Sequence, residues 1–218
     1  MKIIFVKSKS DYKKFLAFKY SLYKNDKNYV DTASFVFEDI LYQKTPFAKE
    51  CDVHPVMALD EIGEPKAEAI LLFHAALPYL QVAFFEVAKN AEEAVNAIIS
   101  AAKEKARLLG INDIVIGLNA HISYGVGILT SGFEYKNSFD SLYNRSYYKE
   151  YFSALPKETL STYRGEVSVA KAHLMQHGFD SEVRIETARI KDIRSACARM
   201  QALCEKTISK TFFLKLKT

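Results

Sequence analysis

The sequence predicts an α/β protein of the α+β kind, with a mixed sheet whose elements run β-α-α-β-β-β-α-β. Three observations predict it. Leu80–Val87 and Ile111–Leu118 are apolar runs of strand length on either side of an amphipathic helix, Asn90–Leu109. That unit favours a parallel strand pair joined by a crossover. Upstream lie two strand-like runs separated from one another and from Leu80 by short polar or proline-containing turns, which favour antiparallel hairpins.

The helix Asn90–Leu109 is the clearest element. Ala94, Val95, Ile98, Ile99, Ala102, Ala106 and Leu109 recur at helical spacing and make one buried face. Asn90 reads as the N-cap, with Glu93 completing a capping-box-like pair. Acids open the helix, bases close it, and Gly110 is a natural stop.

In chain order, Ile3–Val6 is a short strand. Ser10 or Asp11 caps a helix from Tyr12 to about Lys24, which Asn25-Asp26-Lys27-Asn28 breaks. Thr32–Tyr42 is a second short helix, and Thr45-Pro46-Phe47 closes that region. Val53–Leu59 and Ala67–Ala75 are strands, followed by Leu80–Val87. Ser138–Phe152, dense in tyrosine, reads as a loop and a short helix. Leu160–Ala170 and Val183–Ile190 read as strands, and Asp192 to about Glu205 as a helix. This tail repeats the strand-then-helix pattern of the start. It is expected to open a second copy of the unit, cut off at Thr218. Residues 1–155 then form one domain and residues 156–218 a C-terminal extension.

Bulk properties narrow the function. With 218 residues and a net charge of +4, the chain can bury a sizeable core and is only mildly basic. Lys and Arg are interleaved with acids, so a nucleic-acid partner is not expected. No stretch approaches the ~18 apolar residues of a membrane span. The opening MKIIFVKSKSDYKK turns polar after one strand length, too soon for a signal peptide. Cys51, Cys197 and Cys204 show no CxxC spacing and read as reduced thiols of a cytoplasmic protein, with no zinc site. His173 and His177 have helical i, i+4 spacing but no HExxH, so no metal is expected. Gly125-Val126-Gly127 lacks the Lys-Ser/Thr or x-x-Gly that a phosphate loop needs. Cys51 paired with a histidine as a nucleophile has no local support in the sequence.

Several stretches are similar to one bacterial group. They are Tyr20–Val30 (YSLYKNDKNYV), Thr45-Pro46-Phe47, Ala83-Phe84-Phe85-Glu86 leading into the long helix, Gly125–Phe133, and Tyr143–Tyr148 (YNRSYY). They resemble an uncharacterised bacterial family with two tandem halves, similar to the GNAT acyltransferase superfamily. The resemblance covers about Lys2–Phe152 and loosely Val183 onward. It implies an acyl-CoA-dependent N-acyltransferase fold, with acetyl-CoA or another acyl-CoA as co-substrate and a small-molecule amine or acyl acceptor.

The resemblance also implies roles. Glu86, at the end of its strand, corresponds to a general base that deprotonates an acceptor amine. Tyr143 and Tyr148 fall where a tyrosine protonates the leaving thiolate. Val87, Ala88, Lys89 and Asn90 match the segment that offers backbone N–H groups to the CoA pyrophosphate. That segment departs from the family run Gln/Arg-x-x-Gly-x-Gly/Ala: it has no glycine, and Glu92 and Glu93 follow it. A carboxylate there repels a pyrophosphate. Asn119 and Tyr124 are substrate-contacting candidates. Two functions follow as expectations. One is transfer of an acyl group from acyl-CoA to an amine. The other is a non-catalytic GNAT-like domain that packs against a second repeat or a homodimer partner.

Overall fold

In the computed structural model, residues 1–31, 34–121, 124–138, 141–162, 168 and 189–208 are described. The chain divides into two compact units, Met1–Leu155 and Pro156–Phe212. The first carries β1 (Lys2–Phe5), α1 (Lys9–Tyr23), α2 (Ser34–Leu41), α3 (Pro46–Lys49), β2 (Cys51–Leu59), β3 (Pro65–His74), β4 (Tyr79–Val87), α4 (Glu92–Leu109), β5 (Asp113–Ile116) and α5 (Tyr148–Tyr151). It is a mixed α/β unit. Its sheet has five strands in the order β1-β2-β3-β4-β5.

The first three pairings are antiparallel, and β4 runs parallel to β5 with Tyr79 beside Asp113 and Val82 beside Ile116. The apolar runs on both sides of α4 are thus neighbours, as the strand–helix–strand pattern required. Side chains alternate across the sheet. Ala67, Ala69, Leu71, Leu80 and Val82 pack on Ala94, Val95, Ile98, Ala102 and Ala106 of α4. Ile70, Leu72 and Ala83 face Phe15, Phe37 and Ile40 of α1 and α2 on the other side. Helices therefore cover both faces, which is why β3 and β4 read as nearly continuous apolar runs.

Several element ends differ from the sequence reading. Helix α1 starts earlier, at Lys9. Ser8 is its N-cap, and a capping box with Asp11 is complete. The Ser8 hydroxyl oxygen accepts from Asp11 N–H at 3.1 Å, and Ser8 N–H donates back to the Asp11 carboxylate at 3.0 Å. Thr45-Pro46-Phe47, read as a closing turn, opens α3, with the Thr45 oxygen accepting from Ala48 N–H at 3.1 Å.

The expected capping box at Asn90 and Glu93 does not form. Asn90 lies in the left-handed region (φ 56°), and Ala91 is the cap, with no side-chain cap bond. The Ala91 N–H donates instead to the Tyr151 hydroxyl at 3.1 Å. A partner distant in sequence has taken the role expected of a local one. Strand β5 is shorter than Ile111–Leu118, because Gly117 turns the chain away with φ 88°.

In the second unit, Ile190–Asp192 is a 3-10 turn and Ile193–Ile208 a helix. Leu160–Thr162 are not in a strand. The rest of the proposed strand Leu160–Ala170 lies outside the described residues, residue 168 aside. Nearly all of the strand expected at Val183–Ile190 lies outside them too, and its last residue, Ile190, begins the 3-10 turn. Among the described residues no helix is long and apolar enough to cross a membrane.

Candidate active site

β4 outlasts β5. Their pairing stops at Val82 and Ile116, yet β4 continues to Val87. Opposite β3 the register shifts between Glu68 and Ile70, so Phe84 and Phe85 bulge outward across from Ala69. Phe84 is left-handed (φ 50°), a strained conformation for a bulky side chain. Asn119 stabilises it: its side-chain oxygen accepts the Phe84 N–H at 2.7 Å. Gln81 locks the same seam by exchanging two bonds with the Ala120 backbone, at 3.1 and 2.9 Å. The carboxyl ends of β4 and β5 therefore separate and leave an opening.

That opening is a cavity of about 100 Å³. Glu86, Asn119, Tyr124, Tyr143 and Tyr148, all singled out in the sequence, line it together. Lys19, Tyr29 and Asp31 line it as well, and sequence reasoning missed them. They arrive from α1 and the segment after it, far in sequence from the strand–helix–strand motif.

Glu86 is the chemical centre. Only 9% of it is exposed. Its Oε2 accepts two hydroxyl protons, from Tyr23 and from Tyr148, each at 2.6 Å. Such short bonds are typical of a charged acceptor. Burial raises the Glu86 carboxyl above its ordinary range, while the Lys19 charge and the two hydroxyl bonds oppose that rise. Burial, and then the charge of Glu86, push both tyrosines well above their usual range, so they keep their protons. The Tyr148 oxygen also accepts the Val87 N–H at 2.8 Å, which fixes the ring.

Beside Glu86 stands an acid that sequence reasoning passed over. Glu68 is directly opposite on β3 and fully buried. Among the described residues neither of its oxygens has a hydrogen-bond partner. Burial raises its carboxyl well above the usual range, the charge of Glu86 adds to this, and Lys19 opposes it. Two unit charges roughly 5 Å apart repel by ~3 kcal/mol at an effective dielectric of ~20. The sequence did carry a signal: Glu68 interrupts the otherwise apolar run Ala67–Phe73.

The tyrosine-rich stretch divides into two roles. Tyr143 lines the cavity but donates its hydroxyl to Asp26 at 2.9 Å, and burial followed by that bond pushes it up to about 12. Arg145 binds the same Asp26 at 2.6 Å and the Leu22 carbonyl, pinning this loop to the end of α1. Tyr147, Tyr148 and Tyr151 clasp the link between β4 and α4. Tyr147 donates to the Val87 carbonyl at 2.9 Å and Tyr151 to the Ala88 carbonyl at 3.1 Å.

This clasp bears on Val87, Ala88, Lys89 and Asn90. None of the four lines the cavity around Glu86. The Val87 N–H is bound to Tyr148, the Ala88 N–H to the Lys66 carbonyl and the Ala91 N–H to Tyr151. Lys89 and Asn90 are exposed, and Glu92 and Glu93 occupy the first turn of α4. Three of the donors that would meet a pyrophosphate here are thus engaged within the chain, and the two carboxylates repel it.

No group of three or more potential metal ligands occurs among the described residues. His173 and His177 lie outside them. Cys51 is buried, donates to the Phe47 carbonyl at 3.2 Å, and is pushed up to about 12 by burial, so it is not a nucleophile near neutral pH.

No family model matches the chain, and none of the curated proteins matches it. Among solved structures the chain is similar to an acetyltransferase of the GNAT family from Staphylococcus aureus Mu50, at 16% identity. The match covers 53% of this chain and 72% of that one, with a TM-score of 0.34.

Proposed function

We propose that this protein transfers an acyl group from an acyl-CoA-type thioester to a small amine in the cavity at the ends of β4 and β5. The observation that carries the proposal is Glu86, a buried acid that lines the cavity and is hydrogen-bonded to two tyrosines that keep their protons. An ammonium loses a proton to Glu86, its nitrogen attacks the thioester carbonyl, and the nitrogen releases its second proton to solvent as the amide forms. As the C–S bond breaks, Tyr148 protonates the departing sulfur. The existing Tyr148–Glu86 bond then returns the proton from Glu86 to Tyr148, so both groups end as they began. Tyr148 suits this role better than Tyr143, whose proton is directed at Asp26.

The residues at the α4 entrance do not fit a pyrophosphate held on backbone N–H groups, so no step depends on one. That clasp favours a second reading: a non-catalytic domain that packs against a second repeat or a partner copy. Thiol release from acetyl-CoA over a panel of small amines separates the two. Turnover that falls ~100-fold or more in E86Q supports acyl transfer. Neither turnover nor a rise in melting temperature with millimolar acetyl-CoA favours the non-catalytic domain.

A further inference from the structure

Glu68 has a particular setting on all sides. Along β3 its in-phase neighbours are the fully buried Ile70 and Leu72, and across on β2 it faces Met57, also buried. Across on β4 it faces Glu86. The polar groups on the surrounding elements are Lys19 and Tyr23 from α1, Tyr29 from the segment after it, and Tyr148 from α5. Lys19 is the cation that acts on both acids. One cation cannot neutralise two anions. Glu86 has two hydroxyl donors to stabilise its charge, whereas Glu68 has none among the described residues.

We propose that Glu68 is a positioning residue: opposed to Glu86 across β3 and β4, it keeps a proton at neutral pH and leaves Glu86 as the single anion of the cavity floor. This deepens the acyl-transfer reading and rests on it for its catalytic consequence. When an ammonium N–H bond breaks, the electron pair stays on nitrogen and the proton passes to Glu86. With Glu68 already neutral, the acid pair goes from one negative charge to none. With Glu68 ionised, a second negative charge beside Tyr148 would make that tyrosine a weaker proton donor to the departing sulfur.

The test titrates the full-length protein, isotope-labelled at the glutamate carboxyl carbons, by NMR as wild type, E68Q and E86Q. In the wild type one glutamate stays protonated at about pH 7. Its signal vanishes in E68Q. In E86Q it ionises at least about one pH unit lower, because the like charge opposite has gone. The proposal is overturned if every wild-type glutamate is ionised by about pH 6, if the protonated signal survives in E68Q, or if E86Q leaves it unmoved. The pH profile of thiol release gives a readout that a purely structural residue would not move: the wild-type rate falls on the alkaline side, and E68Q removes that fall. A protonated Glu68 without thiol release under any condition sinks acyl transfer and leaves the acid pair standing. Thiol release with every glutamate ionised does the reverse.

Discussion

Glu68 makes the pH dependence of stability testable at the level of one side chain. Its folded-state affinity for a proton is raised above the unfolded value of 4.5. Below about pH 4.5 both states hold the proton and nothing is lost. As pH rises past that point the unfolded chain ionises first, so the folded state loses relative stability until Glu68 itself ionises. E68Q removes this loss. The variant should melt higher than wild type at about pH 8, by at least the ~2–4 °C that one kcal/mol represents at this size, with the gap closing toward about pH 4. A gap that is constant with pH would place the charge elsewhere. The cysteines give a second residue-scale prediction. Cys51 is buried with its thiol pushed up to about 12, and Cys197 is exposed. Alkylation at about pH 8 followed by peptide mass mapping should label Cys197 in the native state and Cys51 only after unfolding. Early labelling of Cys51 would contradict its placement under α3.

At the scale of elements, two helix ends carry measurable stability. The Ser8–Asp11 capping box holds the start of α1, the helix that brings Lys19 and Tyr23 to the cavity. Ser8→Ala should cost about 1 kcal/mol in urea unfolding. Gly110 ends α4 at φ 69° with open space where a Cβ would sit, so Gly110→Ala should cost about 1 kcal/mol from backbone strain alone. No measurable change in either variant would mean that end is held by something else. Much of this scale was legible. The strand–helix–strand unit followed from apolar run length and helical spacing, and its parallel pairing followed from the crossover. The caps were less legible. Ser8, Ser10 and Asp11 all have suitable side chains, and only the backbone path shows that Ser8 is the residue whose oxygen reaches Asp11 N–H.

At the scale of the whole molecule, the buried core residues among the described residues all belong to Met1–Leu155, from Val6 to Tyr148. A chain ending at Leu155 should therefore keep a single cooperative unfolding transition by circular dichroism. Loss of that transition would mean that later residues complete the core. In the helix Ile193–Ile208, Ile193, Met200 and Leu203 are exposed. The described residues that line the cavity all come from the first unit. Its wall comes from segments as far apart as Lys19 and Tyr148, which explains why only part of it was found from sequence. Local spacing marks β4 and its neighbours, and α1 is not a neighbour of β4 in sequence.

The sequence by itself determined the strand–helix–strand unit around α4, the face α4 buries, its glycine stop and the strand-end position of Glu86. These depend on spacing within one element, and spacing is written in the order of residues. The tertiary structure decided which tyrosine reaches Glu86, that Tyr151 rather than Asn90 serves the start of α4, and that Glu68 stands opposite Glu86. Those outcomes depend on contacts between residues far apart in the chain, up to 63 residues in the Tyr23–Glu86 bond. Local preference cannot specify such a partner, because it is set by the path of the loops and the register of the sheet.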